Sequence, residues 1–208
     1  MFVKFCGFTR PEDIEKVMGL PLSSVGFIFY KKSKRYVDPQ QAGIMSRMLE
    51  KTGIKKTGVF VDSTPESIME TVETAGLDMV QVYDAETVLS LSGKIPVIQA
   101  IRIGGERETA LPPPLPGVRV LFDTYSAGQY GGTGKTFDRS LIQNYPFRDR
   151  MIIAGGLNEN NISEIIKDIK PGGVDISSGI EISDGIKSGK KISRIMKLIM
   201  EAENDSIA

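Results

Sequence analysis

Two residues could carry proton-transfer chemistry in a chain that has no imidazole. Cys6 ends the apolar run Val3–Cys6, and Asp123 ends the run Val118–Asp123. A thiolate is a base or nucleophile, and a carboxyl group kept protonated near neutrality is a general acid. The chain contains no histidine and a single cysteine. His-based triads and His-rich zinc sites are therefore excluded, and proton transfer falls to Asp, Glu, Cys, Lys or Tyr. Both residues also have ordinary readings. A cysteine at a strand end serves as a small buried hydrophobe, and an aspartate there caps a helix or lines a loop. For Cys6, the spacing Thr9-Arg10-Pro11-Glu12 matches a capping box. A helix starting near Thr9 would lower the thiol pKa through its N-terminal dipole. Asp123 would need its pKa raised to act as an acid.

Three other segments could bind anionic groups. Ala154-Gly155-Gly156 and Ser177-Ser178-Gly179 each end an apolar run. Small residues let backbone N–H groups approach a phosphate, although glycine also serves simple tight turns. The basic run Lys31-Lys32-Ser33-Lys34-Arg35 reads either as a solvated loop or as the source of a bidentate clamp, with Arg35 gripping a substrate carboxylate. The run Gly128–Thr136 resembles a nucleotide-binding P-loop, but Gly128 and Gly134 are one residue too far apart. It reads as a mobile loop over a site or as a surface turn.

The elements that would position these groups follow a repeating order. Strands are expected at Val3–Cys6, Val25–Tyr30, Thr57–Asp62, Asp78–Val82, Pro96–Ile101, Val118–Asp123, Met151–Ala154 and Gly173–Ser177. Helical spacing recurs between them: Ile14, Val17 and Met18 after Thr9; Ile44, Met45, Met48 and Leu49 after Asp38-Pro39; Ile68 and Val72 after Thr64-Pro65. Asn158 is expected to cap a helix bearing Ile162, Ile165, Ile166 and Ile169, and the last helix carries Ile192, Ile195, Met196 and Ile199. Gly104–Gly117, with three consecutive prolines, argues against a full helix after the fifth strand. The tail Glu201–Ala208 is polar and expected to fray. Strands alternating with helices imply a single-domain α/β protein with a parallel sheet, closed as a barrel or open and doubly wound. In a barrel, Cys6, Asp62, Gln81, Arg102, Asp123, Gly155 and Ser177 would all open onto one rim.

Composition narrows the partners. Lysine plus arginine equals aspartate plus glutamate, 26 against 26, which disfavours nucleic acid and anionic membrane as partners. No apolar run approaches the roughly 20 residues that span a bilayer. The apolar stretch from Met1 to Gly7 is too short for a signal peptide, and one cysteine cannot form an internal disulfide.

Taken in order, these pieces resemble phosphoribosylanthranilate isomerases over nearly the whole chain, from Lys4 to about Ile192. The resemblance rests on Lys4-Phe5-Cys6-Gly7-Phe8-Thr9-Arg10, Ser33-Lys34-Arg35-Tyr36-Val37 and Phe122-Asp123-Thr124 with Gly131-Gly132-Thr133-Gly134 and Phe137-Asp138. Ala154-Gly155-Gly156-Leu157 and Val174-Asp175-Ile176-Ser177-Ser178-Gly179-Ile180-Glu181 complete it. It implies a (β/α)8 barrel and an Amadori rearrangement of N-(5'-phosphoribosyl)anthranilate in tryptophan biosynthesis. It further implies Cys6 as general base, Asp123 as general acid and Arg35 on the anthranilate carboxylate. Gly155, Gly156, Ser177, Ser178 and Gly179 would form the phosphate cradle. No metal or organic cofactor is implied, and the partner is a small phosphosugar substrate. The protein would be cytoplasmic, as a monomer or homodimer. Gln81-Val82-Tyr83-Asp84 stands where the family commonly reads Gln-Leu-His-Gly. The alternatives are a related aminoaldose isomerase of histidine biosynthesis, a dual-substrate isomerase, or a non-catalytic phosphosugar-binding barrel.

Overall fold

Alternation along the strands divides the side chains between two environments. In β1 (Phe2–Cys6), Val3 and Phe5 face a helix-covered layer, and Lys4 and Cys6 face the opposite way. In the computed structural model, which describes residues 1–103, 111, 113–124 and 140–205, that opposite side is the interior of a closed barrel. The ring continues through β2 (Ser24–Ile28), β3 (Lys55–Val59), β4 (Met79–Val82), β5 (Val97–Ile103), β6 (Arg119–Thr124), β7 (Met151–Ala154) and β8 (Gly173–Ile176). Every neighbouring pair is parallel, and β1 pairs with β8 at Lys4↔Asp175 and Phe5↔Ile176. Closure, which periodicity leaves open, follows from that last pairing.

Register fixes which residues share the interior. Cys6 lies beside Gly26, Gly26 beside Thr57, Gln81 beside Ile98, and Arg102 beside Asp123. One half of the interior is apolar, with Ile98, Ala100, Leu121, Ile152 and Ala154 in a single cluster. The half nearer β1 is polar: Lys4, Ser24, Thr57, Gln81 and Asp175 are all buried. Ser24 and Thr57 hydroxyls satisfy one another at 2.6 Å. Gly26 is required for this packing, because a Cβ there would lie 2.7 Å from the Cys6 Sγ and 3.2 Å from the Lys4 Cε.

The outer layer is built by α1 (Pro11–Glu15), α2 (Pro39–Met48), α3 (Pro65–Ala75), α4 (Ala85–Leu91), α5 (Ser140–Gln143), α6 (Ile162–Ile169) and α7 (Gly189–Asp205). Asp38 and Thr64 cap α2 and α3 through their side chains. The expected stripes of α6 and α7 are buried at Ile162, Ile165, Ile166, Ile169, Ile192, Ile195, Met196 and Ile199. Several local expectations are corrected. Thr9 does not cap α1; Arg10 holds the N-cap position without a capping bond, its guanidinium donating instead to the Asp13 carboxylate, and the Thr9 hydroxyl donates to the Gly185 carbonyl at 2.8 Å. The helix stops at Glu15, which leaves Met18 exposed. Asn161, not Asn158, occupies the N-cap of α6; Asn158 shapes the preceding turn by accepting from the Asn160 amide and donating to the Gly156 carbonyl. Ile44 is exposed while Met45 and Leu49 carry the buried face of α2. The tail does not fray at Glu201, because α7 continues to Asp205. Beyond β8 lies a small antiparallel hairpin, β9 (Glu181–Ser183) and β10 (Ile186–Lys187), that the sequence does not announce. Among the described residues, no helix is long and apolar enough to cross a membrane. The connection 104–110 and the glycine-rich run 128–136 lie outside the described residues.

Candidate active site

The C-terminal ends of the strands gather the expected groups. Cys6 ends β1 and is buried, and Asp123 sits near the end of β6, half-buried, on the same interior register. Burial pushes the Asp123 carboxyl up, the Asp175 carboxylate adds to that, and Arg102 and Lys4 oppose it. The direction suits a general acid. Burial also raises the Cys6 thiol, against which Lys4 and Lys187 pull down. A thiolate there depends on its cationic neighbours rather than on a helix dipole, since α1 spans little more than one turn.

Arg35 reaches the same rim from the loop between β2 and α2. That loop is fixed by the Ser33 hydroxyl accepting from the Arg35 amide at 3.1 Å and by the Val37 amide donating to the Ile28 carbonyl at 3.1 Å. The guanidinium donates from Nε and Nη2 to Glu181 at 2.9 and 2.6 Å, and from Nη2 to Asp184 at 2.9 Å. Its remaining nitrogen, Nη1, makes no hydrogen bond among the described residues. The Arg35 side chain packs over Gly7, where a Cβ would meet Arg35 Cδ at 2.7 Å and Ser177 Oγ at 3.1 Å. Thus Arg35, Ser177 and the end of β1 converge. A cleft of about 440 Å³ beside this loop is lined by Phe29, Tyr30, Lys32, Tyr36 and Phe60, but neither Cys6 nor Asp123 borders it.

The two small-residue segments meet each other. Gly155 and Gly156 hold φ of +92° and +65°, conformations that disfavour any side chain. Ser178–Ile180 forms a short 3-10 turn directly after Ser177. A Cβ on Gly179 would lie 2.0 Å from the Leu157 carbonyl oxygen, so glycine lets the loops after β7 and β8 touch. Gly179→Ala should cost about 1–3 kcal/mol of stability. Denaturant unfolding reads the effect, and an unaltered midpoint would refute the packing argument.

The structure adds residues that the motifs alone do not single out. Lys4 is fully buried with its ammonium 2.8 Å from Asp175. Its signal in the sequence is a lysine at an inward position of an otherwise apolar strand. Glu181 and Lys187, both buried, pair at 2.6 Å, and Lys187 also donates to the Cys6 carbonyl. The Tyr83-Asp84 departure has two local uses. Tyr83 lies under the Arg102 guanidinium, 5.1 Å from its ring centre. Asp84 caps α4 by accepting from the Thr87 amide at 2.7 Å. Gln81 Oε1, Asp175 Oδ1 and Ser177 Oγ are buried and make no hydrogen bond among the described residues, an arrangement that costs free energy unless a ligand completes it.

Comparison with known proteins decides the family. The model for N-(5'-phosphoribosyl)anthranilate isomerase matches residues 3–198. The chain belongs to the N-(5'-phosphoribosyl)anthranilate isomerase family. Within that family, the isomerase of Thermoanaerobacter sp. (strain X514) is 37% identical over 95% of this chain and 97% of its own. The crystal structure of the Thermotoga maritima phosphoribosyl anthranilate isomerase superposes with a TM-score of 0.83 at 33% identity, covering 97% of this chain and 99% of that one. A phosphoribosyl anthranilate isomerase solved with reduced 1-(o-carboxyphenylamino)-1-deoxyribulose 5-phosphate gives a TM-score of 0.79 at 30% identity, covering 97% and 99% of the two chains. The family assignment and the closed barrel agree with the resemblance read from the motifs.

Proposed function

We propose that this protein converts N-(5'-phosphoribosyl)anthranilate to 1-(2-carboxyphenylamino)-1-deoxyribulose 5-phosphate, with Asp123 as acid and Cys6 as base. The observation that carries the reading is the shared rim: a buried thiol, a carboxyl group pushed toward its neutral form, and the contacting loops after β7 and β8. Asp123 donates its proton to the ribose ring oxygen as the bond from that oxygen to the anomeric carbon breaks. The lone pair of the anilino nitrogen fills in behind, giving an iminium. The cationic nitrogen acidifies the proton on the neighbouring carbon, and the Cys6 thiolate removes it. The resulting enolamine tautomerises to the ketone, so protons are redistributed and none is consumed. The phosphate is held at Gly155, Gly156, Ser177, Ser178 and Gly179, and Nη1 of Arg35 is left to meet the anthranilate carboxylate. Consumption of the fluorescent substrate by the purified protein tests the reading, and an inactive wild-type enzyme would overturn it.

Arg35→Ala should raise KM more than it lowers kcat. The guanidinium is 20% exposed, so the loss belongs near the lower end for a desolvated charge pair, about 2 kcal/mol or roughly thirtyfold. Steady-state kinetics distinguish this from the solvated-loop reading, under which both constants stay unchanged.

A further inference from the structure

We propose that the buried Lys4–Asp175 ion pair is a fixed dipole that enlarges the share of enzyme whose one shared proton sits on Asp123 rather than on Cys6. This rests on the assignment of those two residues as acid and base. The geometry is set by strand order. Lys4 and Cys6 are on β1, Asp175 is on β8 beside Lys4, and Asp123 lies two strands further round on β6. The positive end of the pair therefore adjoins the thiol: the Lys4 Cε and the Cys6 Sγ both crowd Gly26, and the Lys4 ammonium donates to Asp175 at 2.8 Å. The negative end lies on the side toward Asp123.

The other charged groups around the site do not duplicate this arrangement. Cys6 also faces Lys187 from the hairpin, Arg35 from the loop after β2, and Tyr83 just after β4. Asp123 also faces Arg102 from β5 and Tyr83. Among charged neighbours, Lys4 has the largest effect on Cys6 and only the smallest on Asp123, while Asp175 has the largest on Asp123. The productive form carries its proton on Asp123 and none on Cys6. Its share of the singly protonated enzyme grows tenfold for each unit by which the two pKa values approach one another. Asp175 also raises Cys6 and Lys4 also lowers Asp123, but at each group the nearer end of the dipole has the larger effect, so the gap narrows from both ends, which gives a buried ion pair a use beyond stability.

The test exploits the single cysteine, because 13C NMR of the protein labelled at cysteine Cβ then reports the ionisation of Cys6 alone and requires no turnover. Lys4→Met should move the Cys6 titration upward by about 1–3 units and lower kcat/KM by about tenfold or more. That variant leaves Asp175 buried without its partner and can fail to fold. The double variant Lys4→Met/Asp175→Leu removes both charges together and is the one expected to fold. It should show an upward titration smaller than that of Lys4→Met, because the Asp175 carboxylate that also raises the thiol is gone, together with a loss of kcat/KM. A folded double variant whose Cys6 titration and kcat/KM match the wild type would overturn the proposal. A shifted titration in the double variant, found where Cys6→Ala proved fully active, would sustain the electrostatics and reject the assignment of the base.

Discussion

Asp123→Asn should bind substrate yet turn it over about 100- to 10,000-fold more slowly. The amide nearly matches the carboxyl in shape and still donates a hydrogen bond, but it has no proton to release to the ring oxygen. Because that proton moves only in the transition state, the loss belongs in kcat and leaves KM nearly unchanged. The pH profile should change shape as well. In the proposed mechanism, the productive form of the wild type is lost at low pH when Cys6 and Asp123 are both protonated, and at high pH when both are ionised. The acid limb should lie above the ordinary carboxylate range, because burial and Asp175 raise Asp123. The alkaline limb should lie above the ordinary thiol range, because burial raises Cys6. In Asp123→Asn the residual activity should follow Cys6 ionisation alone, rising with pH and showing no alkaline fall. A kcat loss below about tenfold, outside the usual contribution of a general acid, would remove Asp123 from that role.

Cys6→Ala should come close to abolishing turnover while leaving the barrel folded. Removing the base costs the same order as removing the acid, about 100- to 10,000-fold or more. Lys4 and Lys187 face the site but are ammonium groups engaged with carboxylates. The structural cost is small, because only a sulfur is lost from the pocket formed by Gly26 and Lys4. Circular dichroism and thermal melting beside single-turnover kinetics separate the two effects. Activity within tenfold of wild type would mean that another group takes the carbon-bound proton.

Much of this architecture is readable from the order of residues, and the unreadable parts share a cause. Strands and helices with a strong apolar stripe, such as α6 and α7, are dictated locally by periodicity. Cys6 and Asp123 are visible as reactive residues at strand ends. What is hidden depends on contacts between distant segments. Thr9 has the spacing of a helix cap, but its hydroxyl is taken by Gly185, 176 positions away. Asn158 loses the cap position because Asn161 and the Gly156 carbonyl organise the turn differently. Glu181 and Lys187 look like surface charges in a short polar stretch, and only the hairpin folding back over β1 buries them. Lys4 gives a fairer signal, since strand parity sends it inward and a buried lysine must find an anion.

The seam between β1 and β8 also sets when the protein becomes competent during its synthesis. Cys6 leaves the ribosome long before Asp175, Ser177, Glu181 and Lys187, which follow about 170 to 180 positions later. Until those late segments dock, the thiol has neither its hairpin cover nor the ion pair beside it. Such a long loop must close before its contacts repay the entropy lost. Site assembly therefore coincides with closure of the ring, and a nascent or truncated chain presents an unshielded thiol without the surroundings that the proposed proton transfer requires.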